Sequence, residues 1–146
     1  MAHQPIEELE VFRYFENVAD WAWKEVETWS HLAQNTIGTQ LIRAADSINA
    51  NLVEGDGRYS IADAIRFFVI GRASARETRL WIRRAVKRKL VPEVEAALVL
   101  ADLESGAKFL NQLIAYRRSA KFVKETRASY AANPLEDFAE DPAPIP

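Results

Sequence analysis

The sequence predicts an all-α protein, an antiparallel up-and-down four-helix bundle that assembles as a homo-oligomer. Three observations lead there. Only five glycines and six prolines interrupt 146 residues, and three of the prolines, Pro142, Pro144 and Pro146, fall at the very end. Apolar residues recur with the helical period through four long segments, and those segments are separated by short polar or Gly/Pro breaks. The segment starts also carry helix-capping chemistry: Ser60 with Asp63 three residues on is a variant of the capping box, and Pro92 suits a first helical turn, where its missing N–H costs nothing.

The first helix is expected near residues 6–30. At 100° per residue its apolar positions run from Trp21 and Tyr14 through Val18 and Phe15 to Trp23, an arc of roughly 200° where about 100° serves a surface helix. The polar stretch from Ser30 to Asn35 separates it from a second helix over 36–54, with the stripe Ile37, Leu41, Ala45, Ile48 and Leu52. Gly55-Asp56-Gly57 reads as the next break. A third helix spans 60–89, Val91-Pro92 interrupts, and a fourth spans 93–127. That helix has Val94, Leu98, Phe109 and Tyr116 on one side and Leu103, Leu110 and Ile114 on another. Two apolar sides imply two neighbours, so helices 1 and 4 are expected to form the interface between copies through Tyr14, Trp21, Leu103, Leu110 and Ile114. The alternative is a monomer with an unusually broad core. The bundle occupies 1–130, and the acidic, Pro-rich stretch 131–146 has too little to bury and is expected to be a disordered tail.

Composition narrows the function. The absence of cysteine excludes disulfide scaffolds, thiolate metal centres and cysteine catalysis, and two histidines make a His-rich metal site unexpected. No metal and no cofactor are expected. The N-terminal MAHQPIEELE lacks an apolar signal-like core and no long apolar run follows, which leads to the expectation of a cytoplasmic protein without a membrane partner.

The net charge of −2 conceals a strong asymmetry. Residues 1–56 carry three basic and ten acidic side chains, net −7, whereas residues 57–89 carry ten basic and two acidic, net +8. Within the third helix Arg72, Arg76, Arg79, Arg83 and Lys87 recur at spacings of four, three, four and four, inside about 80° of the circumference. Neighbouring like charges at these spacings repel by a few tenths of a kcal/mol each, so something should neutralise them. Arginine forks match phosphate bidentately. Arg66, Arg84 and Arg88 widen the basic surface, and Arg117, Arg118, Lys121, Lys124 and Arg127 extend it from helix 4. Tyr59 and Tyr116 offer base-stacking faces. The competing readings are an acidic protein partner, pairing with the acidic face of helix 1, or a passive solvated surface.

Helix 2 carries a second pattern, a polar row of Gln40, Arg43, Ser47, Asn51 and Glu54. Ser74 and Glu77 of helix 3 are expected to face it across the small residues Gly71, Ala73 and Ala75. A general acid/base pair of Glu54 and Glu77 is one reading. A hydrogen-bonded network that fixes helix register is the preferred one, since no histidine, thiol or phosphate-binding glycine loop accompanies the acids. No catalytic residue and no enzymatic activity are expected.

Gln40, Arg43-Ala44-Ala45, Ser47-Ile48 and the run Asn51-Leu52-Val53-Glu54-Gly55-Asp56-Gly57-Arg58, with Phe67-Phe68, Ile70, Ser74 and Glu77 downstream, resemble the signature of the four-helix bundle proteins named after intervening sequences in 23S rRNA genes. The likeness covers about residues 9 to 120. It implies a homopentamer of up-and-down bundles. The family is also similar to the accessory variability proteins of diversity-generating retroelements, which associate with a reverse transcriptase and bind nucleic acid through basic surface. A tryptophan-rich first helix, glycine at 71 and the acidic tail depart from the pattern. The combined expectation is a non-enzymatic oligomer that binds RNA or an RNA–DNA intermediate through Arg72, Arg76, Arg79, Arg83, Lys87, Arg84 and Arg88. The alternative is a protein-interaction scaffold of the same family without direct nucleic-acid binding.

Overall fold

Four long helices account for most of the chain. A computed structural model describes the backbone of residues 4–128 and the side chains of residues 4–120. The expected tail at 131–146 lies outside the described residues. A 3-10 turn at Ile6–Glu8 leads into α1 (Glu10–Glu27). A helical turn at His31–Ala33 and a π-helical turn at Gln34–Gly38 lead into α2 (Thr39–Asp56), followed by α3 (Ile61–Lys87) and α4 (Glu93–Ala128). There is no strand among the described residues.

The ends follow from local chemistry. Ser30 Oγ accepts from the Ala33 amide at 3.3 Å, so helical structure begins at His31, five residues before the expected start. Ser60 caps α3 by accepting from the Asp63 amide at 3.1 Å. That helix ends without a glycine: Lys89 takes the left-handed conformation at φ 59°, and the Leu90 and Lys89 amides close on the Ala85 and Val86 carbonyls at 2.9 and 3.0 Å. At the other break the expectation was wrong about Gly55. It is helical and buried, because α3 lies so close that a β-carbon there would sit 2.9 Å from the Ala64 carbonyl oxygen.

The principal packing contacts join α1 to α2, α2 to α3, α3 to α4 and α4 to α1, which sets α1 diagonally opposite α3. Val26 meets Gly38 and Phe12 bonds Asn49 across the first pair; Gly55 meets Phe68 and Ser47 meets Ser74 across the second. Arg72 bonds Asn111 across α3 and α4, while Trp21 bonds Glu95 and Phe15 meets Gly106 across α4 and α1. Phe15 and Val18, Leu41, Ile48 and Leu52, Phe68 and Ile82, and Leu110 are all essentially inaccessible, each worth about 1.5–3 kcal/mol in transferred apolar surface.

This core claims residues that the sequence reading placed between copies. Leu103, Leu110 and Ile114 are 4%, 0% and 2% exposed inside the chain. Their shared angular sector on α4 also contains Val99 and Ala107, and that whole sector faces the other helices. Tyr14 stacks on Phe109 at 5.8 Å, and the Trp21 indole N–H donates to Glu95 at 3.0 Å, so both are occupied within the chain. The face of α4 left outward is the opposite one, with Val94, Leu98 and Tyr116 exposed at 78%, 69% and 68%.

Candidate nucleic-acid interface

The basic ladder of α3 divides into two parts, and the division follows from helix geometry. Taking Arg72 as zero at 100° per residue, Arg79 lies near −20°, Arg83 near 20°, Arg76 near 40° and Lys87 near 60°. The two at the low edge adjoin the sector of Phe68, Ala75 and Ile82, which is buried against the other helices. Arg72 is accordingly only 6% exposed and donates to Asn111 Oδ1 at 3.0 Å. The expectation that Arg72 presents itself to phosphate is therefore corrected: its guanidinium belongs to the α3–α4 seam. Burial, then the nearby Arg118 and Arg76, push its pKa down. Arg79 is half-buried, and its pKa is lowered first by burial, then by Arg83 and Arg76, with Glu104 of α4 opposing.

The other members face outward. Arg76, Arg83 and Lys87 are exposed, as are Arg84 and Arg88. Among the described residues none of these five makes an ion pair. Arg66 is also exposed but is held by Asp63 at 3.0 Å and lies over the Phe67 ring. Tyr59 is fully exposed and Tyr116 largely so. Arg117 turns inward to Asp56, and the side chains of Lys121, Lys124 and Arg127 lie outside the described residues.

The polar row contracts to three residues. Ser47 and Ser74 share a hydrogen bond of 3.0 Å across α2 and α3, and Asn51 donates to the Ser47 carbonyl at 2.8 Å and its hydroxyl at 3.0 Å. Gly71 makes this approach possible, since a β-carbon there would stand 3.1 Å from the Ile48 carbonyl oxygen. Gln40 and Arg43 are exposed and, among the described residues, bond to nothing. Glu54 pairs with Arg58, and Glu77 accepts from the Trp81 indole at 3.2 Å. Gly55 lies level with Phe67 and Phe68, so Glu54 and Glu77 stand roughly 14 Å apart along the seam, too far to share a proton.

The acid that matters structurally in the Glu54–Arg58 run is Asp56, which sequence reasoning treated as part of a turn. One carboxylate oxygen accepts from the Ile6 amide at 3.1 Å and the other from Arg117 at 3.3 Å, tying the N-terminal turn and α4 to the end of α2. Arg117 also lies over the Phe68 ring at 5.8 Å. The partners are 50 and 61 residues away, a separation for which helical periodicity gives no signal.

Among the described residues no cluster of His, Asp and Glu suits a metal ion, and no helix is long and apolar enough to cross a membrane. A comparison with curated proteins found no match. The family model described as 23S rRNA-intervening sequence protein matches residues 7–112, which takes in α1, α2 and α3, the Ser47–Asn51–Ser74 bonds and the outward arginines. The chain belongs to the 23S rRNA-intervening sequence protein family.

Proposed function

We propose that this protein is a non-enzymatic, oligomeric nucleic-acid-binding protein of the cytoplasm that grips RNA or an RNA–DNA intermediate by its phosphates. The observation that carries this reading is the outward row Arg76, Arg83, Arg84, Lys87 and Arg88, cationic and without an ion pair among the described residues. Phosphate contacts position a strand without reading its bases, so binding is indifferent to sequence. The helices run up and down in antiparallel order, an arrangement supported by residue pairs such as Val26 with Gly38 and Phe12 with Asn49. Copies associate through the outer stripe Val94, Leu98 and Tyr116 with exposed Trp23, rather than through Leu103, Leu110 and Ile114. A homopentamer is what the family resemblance implies.

Filter binding of mixed-sequence RNA in rising salt tests this. Affinity should fall steeply with salt, and the triple substitution R76E/R83E/K87E should flatten the log–log slope by about 2, at about 0.7 per lost contact to a single strand. Absent binding, or binding indifferent to salt, overturns the proposal.

A protein-interaction scaffold is the second reading, favoured by Ile70 and Leu80, which are 42% and 46% exposed on the same helix and contribute nothing to phosphate binding. The resemblance to accessory variability proteins makes a reverse transcriptase the partner to look for. Leu80→Gln, which adds no charge beside Arg83 and Arg84, should then abolish co-purification of that partner while leaving any RNA affinity unchanged.

A further inference from the structure

Where the end of α3 meets the start of α4 the surface opens into a groove of about 620 Å³. Its least exposed lining is apolar, Val86, Ala96 and Leu100, with exposed Leu80 and Ala97 beside them; Arg83, Arg84 and Lys87 supply the cations and Glu93 the opposing carboxylate. Val94, next in sequence to Glu93 of the groove, is exposed. A solvent-facing groove with an apolar floor and several cations at its rim fits a segment that sets a few apolar anchors among acidic side chains.

The chain contains such a segment outside the described residues. Positions 134–141 read Pro-Leu-Glu-Asp-Phe-Ala-Glu-Asp, placing Leu135 and Phe138 among the four acids Glu136, Asp137, Glu140 and Asp141. We propose that the groove receives residues 134–141 of a second copy of this chain, Leu135 and Phe138 on the floor and the acids against Arg83, Arg84 and Lys87.

Distance decides in favour of the second copy. Ala97 lies 31 residues before the end of α4 at Ala128, about 46 Å at 1.5 Å per residue. Phe138 is ten residues beyond Ala128, and ten residues fully extended span at most about 36 Å. Neither anchor reaches its own groove. Exposed Val94, adjacent to Glu93 of the groove, belongs to the stripe proposed for contact between copies, which would bring a neighbouring chain close to it. On the nucleic-acid reading, segment and phosphates compete for Arg83, Arg84 and Lys87. That consequence rests on the proposed RNA binding, and the nearness of a second copy rests on the association proposed with it; the docking itself needs no nucleic acid.

The chain has no cysteine, so a single thiol can be placed at will. Full-length chains carrying Ala97→Cys and full-length chains carrying Ala139→Cys are mixed without nucleic acid and mildly oxidised, and disulfide-linked peptides are quantified by mass spectrometry. The 97–139 link is expected several-fold above the link between 139 and a control thiol at exposed Asn17→Cys. It should fall to the control level with R83E/R84E/K87E in the groove chain, and equally with E136Q/D137N/E140Q/D141N in the segment chain, whose changes lie outside all the helices described. A 97–139 yield no higher than the control overturns the proposal, as does a yield that neither set of charge changes lowers. Because no RNA is present, failure of RNA binding leaves this result standing.

Discussion

Gly55→Ala tests the claim that α2 and α3 touch backbone to backbone at the Glu-Gly-Asp-Gly run. A β-carbon at Gly55 would fall 2.9 Å from the Ala64 carbonyl oxygen, 2.9 Å from a Phe68 ring carbon and 3.0 Å from the Phe67 β-carbon. The first and last of these belong to the backbone or to its immediate branch and cannot swing aside. Phe68 is 0% exposed and has no room to retreat. Relief requires the helices to part by several tenths of an ångström, placing the cost in the upper half of the usual overpacking range, about 2–3 kcal/mol. Alanine returns up to about 1 kcal/mol of helix propensity in compensation. The net loss is about 1–2 kcal/mol, a fall in Tm of roughly 3–8 °C for a chain of this size. Gly57→Ala is the matched control, since its nearest atoms would lie 3.7 Å away, and it should stay within about 0.5 kcal/mol of the parent. Thermal unfolding followed by circular dichroism at one fixed protein concentration reads both. A Gly55→Ala protein as stable as the parent would refute the close approach and restore the reading of Gly55 as a chain break.

Arg72→Ala should destabilise the fold by about 1–3 kcal/mol in urea titration, because it strips a buried group and leaves Asn111 without its donor. Arg83→Ala should stay within about 0.5 kcal/mol yet weaken RNA binding. Equal effects of the two on stability would dissolve the division of the ladder. Asp46 has a pKa raised above its ordinary value of 3.8, first by burial and then by Asp20 of α1. A raised carboxyl pKa means that the folded state holds the proton more tightly, so the stability it contributes is present at low pH and is lost as pH rises past the unfolded value. Asp46→Asn should therefore have the higher Tm at pH 7, with the gap closing below about pH 4; a gap that widens on acidification would reverse the assignment.

Periodicity made the four helices legible because burial on one face is a local property of sequence. Ser60 and Pro92 marked their segment starts for the same reason, with the cap or the missing amide within a turn of the boundary. Legibility failed where a decision depended on angular differences smaller than one side chain's reach. Arg72 and Arg83 differ by about 20° around α3, yet one is buried and the other exposed. On α4 the two apolar sides were visible, but which faced the core was not, since either Val94 and Leu98 or Leu103 and Leu110 satisfies a helical stripe. Asp56 stayed hidden because its partners, Ile6 and Arg117, are distant in sequence.

The diagonal placement of α1 and α3 bears on what can neutralise the arginines. Of the ten acids in residues 1–56, Glu10, Glu16, Asp20 and Glu27 are exposed on α1, and that face lies across the bundle from α3 and cannot cover the ladder within one chain. Among the described residues, Glu104 of α4 acts on Arg79 at the seam, and Arg72 finds there only the neutral Asn111 amide. Copies could pair acidic α1 with basic α3 head to tail, or they could associate through the apolar stripe Val94, Leu98 and Tyr116 and leave the arginines outside. Salt separates the two. A charge-held ring should dissociate as ionic strength rises toward 1 M, where the screening length falls to about 3 Å, whereas an apolar interface should hold or tighten. Size-exclusion chromatography with light scattering across that range, with Leu98→Glu as the second arm, is expected to show an assembly indifferent to salt and broken by the substitution. Dissociation by salt alone would place the guanidinium groups under a neighbour's carboxylates, where no polyanion reaches them.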